Sequence, residues 1–579
     1  MRRAFSLYSH GFSRKTTSAL HPSDKHTTSS RRARYLLHNL VPPISDRVVF
    51  STMTNSKLTT TVSLPSGKKL NIPTGLFINN EFVVSVAGDT LVTVNPSTEE
   101  TICTVQAASA KDVDLAVQAA RKAFKTTWGK HVSGTQRSAL LHKLADLIER
   151  DAQSLAELES LDNGKPVAVA RDGDIAESVG CLRYYAGWAD KNHGQTIEVN
   201  DDTKMAYTRH EPIGVCGQII PWNYPIMMWA WKTAPALACG CTIVMKPSEL
   251  TPLTALKLCE LVVEAGFPAG VLNCVPSLGP VGGAALSEHP DVDKIAFTGS
   301  TVTGRKIMAA AAASNLKKVT LELGGKSPNI VFPSADLQQA ANWASLGIFY
   351  NQGQDCTAGS RVYVHSSVYE KFLDLLAKNA AEFEKVTGDG FKEGMSGGPI
   401  VSQAQRDKVW SYIEKGKSEG ARVVIGGQKW EGKGYFVKPT IFADTTSDMK
   451  IVQEEIFGPV LSVSKFDTEE EVIALANDTT YGLGAGLHSS KFHITYGSLH
   501  FWIHVQSSLD DANQIHRVVN ALDAGTVWVN QYNILHNNVP FGGYKQSGIG
   551  RELGSYALKE YTNVKAVHWN FGEKMDWPF

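Results

Sequence analysis

The sequence contains no C-x-x-C pair, no surplus of either charge, and no uncharged apolar run of membrane-spanning length. Each absence closes off a class of protein. The 8 cysteines lie scattered between Cys103 and Cys356, too sparse for a disulfide framework and without zinc-ribbon spacing, so a reducing compartment is expected. Lys+Arg and Asp+Glu both total 57, which leaves no basic surplus for a phosphate backbone and argues against nucleic acid as a partner. The longest apolar stretch, Ile226 to Met245, is broken by Lys232 and Pro235. It reads as a buried helix followed by a core strand, so no membrane association is expected. No H-E-x-x-H or similar cluster occurs, and no metal is expected. What remains is globular material: 43% hydrophobic and 20% charged residues exclude disorder as the dominant state.

Residues 1–53 differ in composition. Nine basic residues from Arg2 to Arg47 face only Asp24 and Asp46, with frequent Ser and Thr and no long apolar core. That pattern excludes a secretory signal and is similar to a mitochondrial transit peptide, which places the protein in the mitochondrial matrix. The alternative is a non-native extension with Met53 as the true start and a cytoplasmic protein. Either way, the segment stands outside the fold.

From about Gly75 the chain alternates short apolar runs with amphipathic helices. Helical spacing marks 111–125 and 134–150. Near-continuous apolar strands then follow at 213–220, 241–247, 271–276, 293–299 and 317–325, separated by helical or loop stretches. This predicts a parallel sheet in an α/β domain. A second series at 361–366, 421–427, 460–466 and 525–530 predicts another α/β unit.

Five local patterns bear on chemistry. Gly299-Ser300 and Gly304 form a G-x4-G turn between a strand and a helix, where free backbone N–H groups can face an anion. Upstream, Lys246-Pro247-Ser248-Glu249 closes another strand, and a strand-end acid suits ribose hydroxyls while repelling a 2′-phosphate. Cys356 lies in the small polar loop Asn351 to Ser360, an unsuitable place for a core cysteine. Glu322, bracketed by Leu321 and Leu323, is either a paired structural acid or a base tuned by burial. Pro221-Trp222-Asn223-Tyr224-Pro225 is a rigid elbow able to aim an amide toward an oxyanion.

Taken in order, PWNYP, KPSE, FTGSTxxG, LELGGKSP, NQGQDC, EEIFGPV and PFGGYKQSGIGRELG make the chain resemble the NAD-dependent aldehyde dehydrogenases, close to the broad-specificity branch acting on acetaldehyde- or retinal-type substrates. The resemblance covers about residues 75–570. It implies an α/β fold with a Rossmann-type parallel-sheet cofactor domain (75–190 and 211–324). It also implies an α/β catalytic domain (325–559) and a small β oligomerisation element (191–210 and 560–572). It implies Cys356 as nucleophile, Asn223 with the Cys356 N–H as oxyanion donors, and Glu322 as the base that activates water. NAD would be held by Trp222, Lys246, Glu249, Gly283, Gly299, Ser300, Glu455 and Phe457. Tyr224, Met228, Trp231, Leu535 and Phe541 would line an apolar tunnel for an uncharged small-molecule aldehyde.

One stretch departs from that pattern. Residues 490–507 hold no acid and several large aromatics, where the family passes from strand to helix with far fewer residues. An exposed loop insertion and translated non-coding sequence are both open, and with them a catalytically impaired NAD-binding homologue. Thr196–His210 and Thr562–Trp569 alternate polar and apolar residues with nothing in their own domain to cover one face. This predicts a homo-oligomer, dimer or tetramer, in which these strands extend a neighbour's sheet; pairing within one chain is the alternative.

Overall fold

The computed structural model describes residues 58–199, 202–489 and 509–577. The N-terminal segment 1–53, the 490–507 insertion and residues Asn200 and Asp201 lie outside the described residues.

The amphipathic segments fold as helices because their ends are capped. Ser109 and Asp112 close a capping box on helix Ala110–Thr126, and Ser133 and Gln136 do so on Gly134–Arg150; such a cap contributes about 1 kcal/mol. The first helix buries Val113, Ala116, Val117 and Ala120, which join a cluster with Val215, Val244 and Ile295 from the strands beneath it.

The first sheet has 8 strands. At its centre, Lys318–Glu322, Lys294–Thr298, Val215–Ile219, Thr242–Lys246 and Leu272–Cys274 lie side by side, all parallel. Chain order reverses between Val215–Ile219 and Lys294–Thr298. That is a topological switch point, and the crevice outside the carboxyl ends of such strands is where this architecture takes its ligands. Those carboxyl ends deliver Asn223, Lys246, Ser300 and Glu322 to one edge of the sheet. Leu76–Ile78 and Glu81–Val83 extend one side of the sheet and Gly548–Ile549 the other, all antiparallel additions. Gly548–Ile549 thus returns from the expected catalytic half to edge the cofactor sheet.

The second sheet has 7 strands, in the order Arg422–Ile425, Thr440–Ala443, Val460–Phe466, Arg361–His365, Pro328–Val331, Gly484–His488 and Thr526–Val529. All but the first are parallel. The loop carrying Cys356 leads into its central strand, Arg361–His365.

The strands expected at an oligomer contact form a third sheet. Thr562–Asn570 pairs antiparallel with Lys204–Pro212 along nine residues of the same chain, and Thr196–Ile197 adds a short third strand. Thr562–Asn570 is an edge strand of this sheet, and Val564 and Trp569 on it are 65% and 57% exposed.

Among the described residues no helix is long and apolar enough to cross a membrane, and no group of three or more His, Cys, Asp or Glu side chains is placed to hold a metal ion.

Candidate active site

The nucleophile loop begins in a strained backbone. After helix Leu337–Phe349, Asn351, Gln352 and Gly353 adopt φ of 49°, 59° and 66°, a left-handed run that side chains seldom tolerate outside functional sites. Gly353 has no alternative, because a Cβ there would lie 2.2 Å from the Gly458 carbonyl oxygen. The loop then presents Cys356 half-buried, while the other seven cysteines are buried.

Asn223 is locked to this loop from both sides. Its Nδ2 donates to the Gln354 carbonyl at 3.0 Å, and its own carbonyl accepts from Asn351 Nδ2 at 3.0 Å. A buried ion pair, Lys165 with Asp174, adds a third tether, since Lys165 Nζ also donates to the Asn223 carbonyl at 3.0 Å. Burial pushes the Cys356 thiol well above its ordinary range, with Asp355, Glu322 and Glu455 adding to the effect; its own amide opposes it.

Glu322 ends its strand buried, with Oε2 unpartnered among the described residues. Burial and the Glu552 carboxylate raise its pKa well above a free carboxyl's, against Lys232 and Arg551. Lys232 is fully buried, paired with Glu552 and donating to Thr298 Oγ1 at 2.6 Å. These are the opposing influences that tune a general base.

The predicted cofactor residues line the carboxyl edge of the first sheet and the loop opposite. Lys246 Nζ lies 3.3 Å from Glu249 Oε2, and the Glu249 side chain is 37% exposed, free to accept from a hydroxyl. Gly283 faces the Lys246 stem, where an added Cβ would meet Lys246 Cδ at 3.7 Å, an ordinary contact. Ser300 caps helix Thr301–Ser314, accepting from the Thr303 N–H, and the Gly299 N–H is held by the Glu322 carbonyl at 3.0 Å. Glu455 accepts from the Gly325 N–H at 2.9 Å. Phe457, itself at φ 60°, meets Trp222 edge-on with ring centroids 5.2 Å apart. Acceptors, a cation and a long helix's N-terminus in this order suit a dinucleotide's riboses and phosphates.

Tyr224, Met228, Trp231 and Phe541 share one buried cluster, against which Leu535 and Cys356 pack. Trp231 and Phe541 meet at 5.3 Å between centroids. The expected tunnel residues therefore belong to, or pack on, the buried core against which Cys356 packs. The expectation of a wholly apolar lining needs one amendment: the Tyr224 hydroxyl donates to the Asp355 carboxylate at 3.2 Å.

Several participants were not singled out in the sequence. Lys165 and Asp174 meet because Ala170–Ile175 is a π-helical turn, a widening common at functional sites. Lys232 left a signal, a cation inside an apolar run, which implies a buried partner. Asp355 stood in plain view beside Cys356.

Comparison with known proteins agrees with this geometry. The profile of the aldehyde dehydrogenase family matches residues 82–495 and 508–567, a match that breaks inside the atypical stretch. An aldehyde dehydrogenase of Aspergillus niger is 54% identical over 520 residues, spanning 90% of this chain and 100% of the relative. Aldehyde dehydrogenase 1A1 of Mus musculus is 50% identical over 503 residues, 86% of this chain and 96% of its own. Among solved structures, the NAD+ complex of an aldehyde dehydrogenase from Bacillus cereus superposes with a TM-score of 0.81 at 52% identity, covering 86% of this chain and 96% of that one. The chain belongs to the aldehyde dehydrogenase family.

Proposed function

We propose that the protein oxidises an uncharged aliphatic or aromatic aldehyde to its carboxylic acid, with NAD as the cofactor. The observation that carries this reading is the convergence of Cys356, the Asn223 amide and the unpartnered Glu322 carboxyl at the carboxyl edge of one parallel sheet. Cys356 gives up its thiol proton to solvent water and its sulfur adds to the aldehyde carbonyl, forming a carbon–sulfur bond. Asn223 Nδ2 gives up the Gln354 carbonyl and, with the Cys356 N–H, holds the oxyanion; one such donor is worth roughly 10²–10³ in rate. When bound, NAD accepts the hydride that leaves the adduct carbon, so that a thioester remains on Cys356. Glu322 takes a proton from water, the hydroxide attacks the thioester, and the thiolate departs as the acid is released.

The cofactor's place is the edge formed by Lys246, Glu249, Gly283 and Ser300, with Glu455 and Phe457 opposite. The exposed Glu249 carboxylate favours NAD over NADP. The exposed apolar residues of the third sheet support a homo-oligomer, now through that sheet's surface and outer edges.

Mixing purified protein with aldehyde and NAD and following absorbance of the reduced cofactor tests the reading. Turnover that is lost in Cys356→Ala supports it. Cofactor binding with no turnover of any aldehyde would instead favour an NAD-binding homologue impaired by residues 490–507, the stretch where the family match breaks.

A further inference from the structure

The residue before the nucleophile is a buried acid whose bonding is unusually complete. Asp355 is 7% exposed. Its Oδ1 accepts from the Thr357 N–H at 3.1 Å, and Thr357 Oγ1 lies 2.9 Å away, within reach of both Asp355 and Asn533 Oδ1. Its Oδ2 accepts from the Tyr224 hydroxyl at 3.2 Å and Asn533 Nδ2 at 2.6 Å. Three donors hold the carboxylate, the single Thr357 hydroxyl proton lies between it and Asn533 Oδ1, and all of these groups are neutral. The negative charge is therefore held in place but not cancelled.

We propose that Asp355 is a specificity-determining residue, whose fixed negative charge beside Cys356 turns away aldehydes that carry a carboxylate. This rests on the reading of the site as an aldehyde-oxidising one.

Three observations support it. The Asp355 partner Tyr224 belongs to a buried cluster with Met228, Trp231 and Phe541, the cation over the Tyr224 ring, Lys165, is paired with Asp174, and charges act strongly across apolar surroundings. Its field reaches the reacting atom: after burial, Asp355 is the largest influence raising the Cys356 thiol. Finally, it cannot swing aside. Asn533 sits at φ 60°, on the loop that carries Leu535 and Phe541. Its Oδ1 accepts from Thr357 Oγ1 at 2.6 Å, while the adjacent Tyr532 hydroxyl donates to the Thr357 carbonyl at 2.9 Å. The residues on both sides of Cys356 are thus tied to one tunnel loop. Glu322 and Glu455 also stand near Cys356, and burial raises both of their carboxyls.

Alkylation of Cys356 tests this without turnover, since the other seven cysteines are buried. Rates with neutral iodoacetamide and anionic iodoacetate are compared, by mass spectrometry, in wild type, Asp355→Asn and the exchange variant Asp355→Asn with Asn533→Asp. Any change in thiolate fraction cancels in the ratio of the two rates. The wild-type preference for iodoacetamide should fall about tenfold in Asp355→Asn, the size expected of one unscreened like charge. It should return in the exchange variant, where the carboxylate has moved by one hydrogen-bond length and the acid–amide pair is kept. The ratio of kcat/KM for a neutral aldehyde over a carboxylate-bearing one of equal length should follow the same pattern. An unchanged alkylation ratio in Asp355→Asn, or an exchange variant that behaves like it, would overturn the proposal. Absence of aldehyde turnover in wild type would count against the proposed activity alone, because the alkylation ratio stands apart from it.

Discussion

Gly542 lies so close to Glu322 that a Cβ on the glycine would come within 2.9 Å of the carboxyl oxygen Oε1. With φ at +156°, the position also disfavours any side chain on backbone grounds. The glycine leaves the space in which the base can stand unpartnered. Gly542→Ala should therefore slow thioester hydrolysis, lowering kcat about tenfold for an added strain of roughly 1–2 kcal/mol. Rapid-quench kinetics should show the first turnover preserved and later ones slowed.

Removal of the base itself should act more strongly. Glu322→Gln should still acylate but lose about 10²-fold or more in steady-state rate, with the thioester visible by mass spectrometry. Normal turnover in this variant would reject the assignment. The pH profile carries a sign: Glu322 works only when ionised, and its pKa is raised by burial and Glu552. Deacylation in wild type should accordingly fall away at higher pH than a free glutamate would dictate, as pH is lowered through that raised value.

Lys232 and Glu552 are a buried pair behind the base. Lys232→Met leaves Glu552 buried without its cation and should cost about 3–5 kcal/mol in urea unfolding. Replacing both residues by Met should recover most of that loss. Equal stability of the single and double variants would show that the pair is not coupled.

Cofactor choice should respond to Glu249. Glu249→Gln should raise kcat/KM for NADP relative to NAD by about tenfold, by removing a charge that opposes a 2′-phosphate. An unchanged ratio would place the discrimination elsewhere.

The third sheet predicts assembly. Light scattering on protein beginning near Met53 should give a dimer or tetramer, and Val564→Lys with Trp569→Lys should shift it toward a single chain. A wild-type mass of one chain at micromolar concentration would reject this.

Much of this was legible in the sequence because strong local patterns coincide with buried strands. Val460–Phe466 and Arg361–His365 fall where apolar runs place them, and Pro225–Cys239 is the buried helix that Lys232 and Pro235 indicated. Pro328–Val331 was hidden by its leading proline, and Gly548–Ile549 has two residues and no periodicity to read. The tethers on Asn223 could not be read either. Lys165 and Asp174 become neighbours through a local π turn, and Asn351 reaches Asn223 across 128 positions of sequence, a separation that spacing alone does not encode.

The strand Gly548–Ile549 sets an order of events during synthesis. It edges the strand that carries Glu322, and Ser547 Oγ donates to the Gly324 carbonyl across 223 residues of sequence. Gly542, Arg551 and Glu552, which surround the base, emerge in the same late stretch. A ribosome-bound chain has exposed its cysteine loop and most of both sheets well before these residues leave the exit tunnel. Closures of such long range come late in folding. The nascent protein can therefore display the Cys356 thiol before the surroundings of Glu322 are complete, and the proposed hydrolytic step waits for residues 542–552.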